Sequence, residues 1–289
     1  MLLQSPELLA LAAALLFGLA LVLTQFALGH ASPLHGALIS LTTSSVLFCV
    51  LAAFVFDLGG FDPRGAMIFV GVGLLFPAAV TLLTYEANRR MGPSVAGTLA
   101  NLTPLFAILP AALLFGEVPR PTQMLAIALI VIGAAMLSLD RRWLGRRWQA
   151  WALILPIGAA AIRGLTQPMT KFGYGFWPNP FAATLIAYLT SLTVIATVVL
   201  AARRGQWFGY TLSGVLWFAC IGVCNGLAVL ALYAALARGS VIVVSPLAAS
   251  YPIVTLALSA AFLRTARIGP LLVGGVVFTV AGVMLMLRA

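Results

Sequence analysis

The stretch YEANRRMGPSVAGTLANLTP, residues 85–104, has a counterpart 148 positions later in YAALARGSVIVVSPLAASYP, residues 233–252. With this constant shift and no gap, the identical pairs are Tyr85 and Tyr233, Ala87 and Ala235, Arg90 and Arg238, Val95 and Val243, Leu99 and Leu247, Ala100 and Ala248, and Pro104 and Pro252. With a shift of 146, the pairs are Gly18 and Gly164, Thr24 and Thr170, and Phe26 and Phe172. Chance similarity between apolar segments is the alternative, but Tyr, Arg and Pro matching in one register favours an internal duplication.

The composition around this repeat is that of a membrane protein. Of 289 residues, 63% are hydrophobic and only 8% are charged, whereas a soluble domain has roughly 25% charged residues. Apolar runs recur along the chain, each close to the roughly 20 residues that a helix needs to cross a hydrocarbon core of about 30 Å. We expect the three cysteines, Cys49, Cys220 and Cys224, to pack in the core because they lie inside these runs.

Breaks in the apolar runs at Pro, Gly and charged residues set the predicted helices. These are 6–28, 34–56, 65–90, 93–115, 121–139, 149–173, 180–202, 211–237, 240–263 and 268–287. The sequence therefore predicts an all-α membrane protein of ten transmembrane helices in two five-helix repeats, residues 1–140 and 149–289. Because five is an odd number, the second repeat must enter the membrane in the opposite sense. Such inverted repeats are how many carriers build alternating access.

Three short motifs connect this arrangement with a known family. They are Tyr85-Glu-Ala-Asn-Arg-Arg, Pro104-Leu-Phe and Phe115-Gly-Glu117. With the length, helix number and duplication, they resemble the EamA-like branch of ten-helix carriers in the drug/metabolite transporter superfamily. The resemblance implies the fold and a general transport role, and it names no substrate. The second repeat departs from the pattern, because Leu263-Arg-Thr265 stands where a Gly-Glu pair is expected.

The distribution of basic residues predicts the orientation, since Lys and Arg prefer cytoplasmic loops. With a cytoplasmic N-terminus, the cytoplasmic side would hold Arg64, Arg120, Lys171, Arg238 and Arg288. The other side would hold Arg89, Arg90, Arg141, Arg142, Arg146, Arg147, Arg203, Arg204, Arg264 and Arg267. The larger group favours both termini on the periplasmic side. The same short clusters between hydrophobic runs indicate topology signals and not a nucleic-acid-binding stripe.

An arginine lies about halfway along the sixth predicted helix, where an ionisable group costs roughly 2.5–3.5 kcal/mol on insertion scales. This residue, Arg163, shares one arc of about 140° with Gln167 and Lys171 and with two threonines at 166 and 170. Pro168 is expected to interrupt the helix there. The stripe predicts an aqueous cavity in which the Arg163 guanidinium and the Lys171 ammonium bind an anionic group of a solute. Alternatively, Arg163 ties helices together through carbonyls or Glu86, and Lys171 marks the helix end.

A second polar stripe lies in the first repeat. In the third predicted helix it consists of Thr81, Thr84, Tyr85 and Asn88, and in the fourth of Ser94, Thr98 and Asn101. Three tyrosines, Tyr188, Tyr233 and Tyr251, could add aromatic walls. The alternative for each polar residue is hydrogen bonding between helices, and for the tyrosines simple packing. The candidate substrate-binding residues are Arg163, Gln167, Lys171, Thr84, Tyr85, Asn88, Asn101, Tyr233 and Tyr251.

Several functions are disfavoured by what the sequence lacks. No carboxylate is predicted at mid-membrane, which argues against antiporters of cationic drugs, and Glu86 is expected to pair with Arg89 and Arg90. We find no motif of a membrane protease, a zinc enzyme or a Ser hydrolase. The two histidines, His30 and His35, flank the first loop. We therefore expect no catalytic residues, no metal site and no cofactor.

The sequence thus predicts a secondary transporter, and favours an exporter, of a small polar metabolite with an anionic group, such as an amino acid. Its partners would be that small-molecule substrate and the lipid bilayer, with no nucleic acid and with the protein acting as a monomer. A multi-pass location in a bacterial inner membrane is expected. Two alternatives stay open: a carrier of a cationic or neutral solute held by aromatic residues, and a membrane scaffold that transports nothing.

Overall fold

A computed structural model describes residues 5–27, 29–57, 59–91, 99–138, 150–202, 211–263 and 270–289, and within them it has α-helices and no β-strand. The helices are α1 (Pro6–Ala27), α2 (Pro33–Val55), α3 (Pro63–Leu75), α4 (Ala78–Met91), α5 (Thr103–Phe115), α6 (Pro121–Ser138), α7 (Ile154–Tyr174), α8 (Pro180–Ala202), α9 (Leu212–Leu236), α10 (Val241–Ala248), α11 (Tyr251–Leu263) and α12 (Pro270–Arg288). A short 3₁₀ helix, Ala150–Leu153, precedes α7. The N-terminal part of the fourth predicted helix and the predicted link between the repeats lie outside the described residues.

Length and composition make these helices membrane-spanning elements. In the part of the chain that the structure describes, seven spans are long and apolar enough to cross a bilayer: Pro6–Ala27, Pro33–Val55, Pro63–Arg90, Pro180–Ala201, Leu212–Leu236, Val241–Leu258 and Pro270–Arg288. Side chains on their outer surfaces are strongly apolar and exposed, among them Phe54 (83%), Met67 (73%) and Leu212 (75%). Such a surface is stable in lipid and not in water. The protein is a multi-pass membrane protein.

Within the described residues, three of the predicted helices are broken. The third, 65–90, consists of α3 and α4, which meet at a turn at Phe76–Pro77. The ninth, 240–263, consists of α10 and α11, which meet at a turn at Ala249–Ser250. A turn at Asn101–Leu102 likewise precedes α5. The last two turns lie 148 residues apart, so the shift found in the sequence also relates features of the backbone.

The prediction that Pro168 interrupts the sixth helix was wrong, because α7 continues through it to Tyr174. Proline removes the hydrogen bond to the carbonyl of Gly164. A full break would leave more backbone groups without partners in a water-poor interior. The hydroxyl of Thr170 donates to the carbonyl of Thr166 within the same turn.

The cysteine prediction also needs correction. Cys49 and Cys220 are exposed on the helix surfaces, and Cys224 is partly buried. Hydrophobic periodicity does not separate a lipid-facing position from a core position, because both favour apolar side chains.

The two repeats pack against each other in a reciprocal way. Helix α1 packs on α9 and α11 of the second repeat, and α7 packs on α4 and α5 of the first. Two glycines make these contacts close: a Cβ at Gly18 would lie 2.7 Å from the Cβ of Val254, and a Cβ at Gly164 would lie 2.6 Å from that of Phe106. Val254 and Phe106 are 148 residues apart. The repeats therefore use equivalent positions at equivalent contacts.

The bundle has two ends that matter for the site. At the first end, Gly239 packs on Pro6, and the Asn179 amide donates to the Asp57 carbonyl over 3.0 Å. At the second end, Gly214 packs on His30. There the Arg90 guanidinium also lies 4.8 Å from the centre of the Trp151 ring.

Candidate functional site

A cavity lies between the repeats in the middle of the bundle. It has a volume of about 90 Å³, where one water molecule needs roughly 10–15 Å³. Its polar lining consists of Thr24, Ser40, Ser44, Thr81, Thr84, Tyr85, Asn88, Arg163, Tyr188, Asn225 and Tyr251. Helices α1, α2 and α4 of the first repeat and α7, α8, α9 and α11 of the second contribute to it. The space suits a small solute with polar groups.

The cavity extends from the middle of the bundle toward the second end. On α1 the lining begins at Phe17 and ends at Thr24, near the helix end at Ala27. On α4 it continues to Asn88, three residues before the last helical residue. Toward the first end, the lining stops at Tyr188 and Val229. These levels place one side of the cavity near the second end and its floor near mid-bundle.

Arg163 lies in the wall of the cavity without an acidic partner. Among the described residues no carboxylate oxygen lies within 4.0 Å of it, and its buried Nε has no hydrogen-bond acceptor. Its guanidinium carbon lies 5.6 Å from the centre of the Phe17 ring, and Tyr251 is a neighbour. The arginine therefore keeps hydrogen-bond donors for a group that enters the cavity.

Glu86 does not neutralise Arg163. As predicted, its carboxylate pairs within its own helix: Oε2 accepts from Nε of Arg89 over 2.7 Å, and Oε1 accepts from Nε of Arg90. Both arginines are 40% or more exposed, so this group lies at the surface of the bundle end. The alternative in which Arg163 ties helices through Glu86 is not what the structure shows.

The polar stripe of the third predicted helix does face the cavity. Thr81, Thr84, Tyr85 and Asn88 all line it from α4. Their spacing of three, one and three residues puts them on one face of a helix. Helix α4 packs on α7, and Arg163 of α7 lines the same cavity. The structure thus brings together four predicted residues with Arg163 and Tyr251.

Other predicted residues lie elsewhere. Lys171 was predicted to face the cavity with Arg163, but its Nζ donates to Oε1 of Glu117 over 2.5 Å and to the Gly239 carbonyl over 2.8 Å, at the first end. Gln167 is 3% exposed and Tyr233 is 1% exposed, and neither lines the cavity. Asn101 is fully buried in the turn that precedes α5. The polar face of α7 therefore begins at the cavity and continues into a part of the bundle that the cavity does not reach.

Sequence reasoning missed part of the lining. Ser40 and Ser44 on α2, and Asn225 on α9, also face the cavity. Asn225 could have been found, since it is the one amide in the long apolar run 212–237 and lies 148 residues after Pro77, which lines the cavity too. The two serines carried no signal, because hydroxyls are common between membrane helices.

Two tyrosine hydroxyls in the wall have no hydrogen-bond partner among the described residues, those of Tyr85 and Tyr188. Their neighbours are Ser40 and Ser44, respectively. Each serine hydroxyl donates to a backbone carbonyl, Ser40 to Ala37 and Ser44 to Gly222, so it can offer a tyrosine only an acceptor. A buried polar group without a partner costs about 1–3 kcal/mol, so a bound solute or water could satisfy both hydroxyls.

The fold and the cavity define a class: a helical membrane protein with two similar repeats around a solute-sized space. The chain matches the EamA-like transporter family twice, over residues 4–139 and 150–288, and it belongs to that family. The resemblance inferred from the sequence motifs is thereby confirmed. Members of this family are transporters and not enzymes.

One solved structure is similar over nearly the whole chain. It is described only as the crystal structure of a protein, and it superposes with a TM-score of 0.77 over 97% of this chain and 95% of the other, at 20% sequence identity. At that identity the similarity shows the fold alone. No curated protein matches the chain in sequence.

Proposed function

We propose that this transporter is a secondary carrier of a small polar solute with an anionic group, such as an amino acid. The observation that carries the proposal is Arg163, whose charge faces the cavity with no acidic partner among the described residues. An arginine inside a membrane protein is costly and normally pairs with another group or faces water. A carboxylate on the solute supplies that pair, and the planar guanidinium can bind it with two hydrogen bonds.

The remaining lining suits the rest of such a solute. Asn88 and Asn225 offer amide donors and acceptors, and Thr84 offers a hydroxyl. The aromatic rings of Phe17, Phe76, Tyr85, Tyr188 and Tyr251 offer apolar surface. This combination of one charge, several polar groups and apolar walls is common in small-molecule sites.

The transport cycle would use the two repeats. We propose ten transmembrane helices in two inverted five-helix repeats that rock about the cavity, so that it opens to each side in turn. The reciprocal contacts of Gly18 and Gly164 support this, because repeat-related helices pack on repeat-related partners. The bacterial inner membrane, the direction of export and the monomeric state stay predictions from the sequence.

A carrier of a cationic or neutral solute is the second candidate, and the five aromatic rings favour it. Aromatic faces attract cations. However, no carboxylate of the described residues lines the cavity, and Arg163 would repel a cation. A scaffold without transport has no support from a cavity of this kind.

The test is flux into liposomes that contain the purified protein, with a panel of amino acids, quaternary amines and neutral polar solutes. We expect Arg163→Ala to lower the rate for anionic solutes about 10- to 100-fold, because a charged hydrogen-bonded pair is worth about 1.5–3 kcal/mol. Arg163→Lys should recover part of the lost rate, since an ammonium keeps the positive charge but not the planar pair of N–H donors of a guanidinium.

Arg64→Ala is the matched control, because it removes an exposed arginine that pairs with Asp62 outside the cavity. It should leave flux unchanged. Wild-type flux of amino acids through the Arg163→Ala protein would refute the anchor role. Flux of quaternary amines alone would favour the second candidate.

A further inference from the structure

Below the cavity floor, on the side of the first end, lies a group of buried polar side chains that we name the closed cluster: Gln167, Thr170, Tyr174 and Tyr233. Their exposure is 8% or less. The Gln167 Oε1 and the hydroxyls of Tyr174 and Tyr233 have no hydrogen-bond partner among the described residues. Buried polar groups normally have a hydrogen-bond partner, so these three groups without one need an explanation.

The closed cluster continues the cavity. Tyr233 lies beside the Tyr188 and Phe76 side chains that line the floor, and its ring centre is 6.4 Å from that of Phe76. It also neighbours Thr170 and Tyr174. On α7, the members at 167, 170 and 174 lie within about 60° of one another and on the same face as Arg163. A polar face therefore extends from the cavity toward the first end.

Toward the first end, an ion pair joins the two repeats at Lys171, the residue that follows Thr170 of this cluster. The Lys171 Nζ donates to Oε1 of Glu117 over 2.5 Å and to the Gly239 carbonyl over 2.8 Å. Oε2 of Glu117 accepts from the backbone N–H of Val241 over 2.8 Å, at the start of α10. We name this Glu117–Lys171 pair the latch. It joins the first repeat to two helices of the second.

The Phe115-Gly-Glu117 motif builds the latch. Gly116 ends α5 in the left-handed conformation, with φ of 65°, which a residue without Cβ adopts at no steric cost. The turn brings Glu117 to Lys171, and the Phe115 ring centre lies 5.3 Å from the same ammonium. Both charged side chains are mostly buried, with 14% and 23% exposed. Water screens such a pair less than it screens a surface pair.

The second repeat cannot form the same pair at the second end. With the shift of 148, Glu117 corresponds to Thr265, and with the shift of 146, Lys171 corresponds to Gln25. Neither residue is charged. The ion pair is thus a one-sided feature of a duplicated chain.

We propose that the closed cluster is the shut half of the transport path and that the Glu117–Lys171 latch holds it shut. When the latch breaks, the first end opens, and water and solute reach Gln167, Thr170, Tyr174 and Tyr233. The same movement closes the cavity at the second end. This proposal rests on the alternating-access carrier proposed above, and it does not depend on which solute is carried.

The test measures the reaction of single thiols with a water-soluble maleimide, on protein in lipid nanodiscs. The background lacks the native thiols (Cys49→Ser, Cys220→Ser, Cys224→Ser). One reporter, Thr84→Cys, places a thiol in the cavity, and the other, Thr170→Cys, places one in the closed cluster. We expect fast labelling of the first and slow labelling of the second while the latch is intact.

Glu117→Gln keeps the shape of the side chain but removes the charge that binds Lys171. We expect labelling at position 170 to rise at least about tenfold and labelling at position 84 to fall, because losing one partner of the pair destabilises only the state in which the first end is closed. Glu86→Gln is the control at the second end, where the partly exposed Glu86 pairs with the exposed Arg89 and Arg90, and it should leave both rates unchanged.

Opposite changes at the two positions support the proposal. Unchanged rates would overturn it, and so would a rise at both positions, since that indicates a loosened fold. The latch and the carrier function are tested separately, because flux through the Arg163 variants is measured independently of thiol labelling. If flux depends on Arg163 but labelling does not change in Glu117→Gln, the carrier function is supported and the latch is refuted.

Discussion

Tyr85 and Tyr233 are the same residue of two repeats, 148 positions apart, yet they lie in different surroundings. Tyr85 lines the cavity, with its ring 5.9 Å from that of Phe218. Tyr233 is packed into the closed cluster. The comparison teaches that a duplicated sequence need not give a symmetric interior. In one state of a carrier, one half of the path is open while its repeat-related half is shut.

The backbone shows the same contrast. In the first repeat, a turn at Phe76–Pro77 separates α3 from α4, and both residues line the cavity. The equivalent positions of the second repeat, Cys224 and Asn225, lie within the continuous helix α9. The latch adds a second difference, since its charges occur in only one copy. Three experiments test this difference between the two repeats.

The largest effect, on thermal stability, is expected at Gly18 and Gly164, which are equivalent positions of the two repeats. Gly164→Ala would place a Cβ 2.6 Å from the Thr103 carbonyl oxygen, and Gly18→Ala would place one 3.0 Å from that of Tyr251. Overpacking of this kind costs about 1–3 kcal/mol, so both variants should lower the midpoint of thermal unfolding, Gly164→Ala more.

The control for these variants lies on α7 itself. A Cβ at Gly158 would meet only Leu83, at an ordinary 3.7 Å, so Gly158→Ala should keep or raise the midpoint. If Gly18→Ala and Gly164→Ala behave like the control, the reciprocal interface is not a tight contact.

A smaller effect, on solute binding, should distinguish Tyr85 from Tyr233. Tyr85→Phe removes a hydroxyl that faces the cavity and should weaken solute binding about tenfold, since a hydrogen bond to a charged group is worth about 1.5–3 kcal/mol. Tyr233→Phe removes a buried hydroxyl that has no hydrogen-bond partner among the residues the structure describes. It should leave binding unchanged and raise thermal stability. Titration of an active solute against both purified variants measures this, and equal loss of binding would contradict the contrast.

The smallest effect is expected at the exposed ion pairs of Glu86. Surface pairs are worth about 0–1 kcal/mol and are screened by salt, so Glu86→Gln should lower stability slightly and only at low ionic strength. Glu117→Gln should lower it more and at all salt concentrations, because its side chain is 14% exposed. Thermal unfolding at two salt concentrations distinguishes them. Identical salt dependence would mean that the latch is an ordinary surface contact.

Some of the site could be predicted because its signal is local. The stripe of Thr81, Thr84, Tyr85 and Asn88 follows from helical spacing alone, and the structure places it on the cavity. Arg163 stood out because burying a charge in a membrane needs a reason. The same logic misplaced Lys171, since its partner Glu117 is 54 residues away and no local pattern shows which charge a helix end will meet.

The membrane class, the helical fold, the duplication and the family can be read from the amino-acid sequence, because hydropathy, helical period and repeat register are properties of the chain. The three-dimensional structure was needed to show which polar residues share a cavity, which lie in the closed cluster, and where Glu117 pairs with Lys171. Those features depend on contacts between helices far apart in the chain, so equivalent residues such as Tyr85 and Tyr233 can lie in different surroundings.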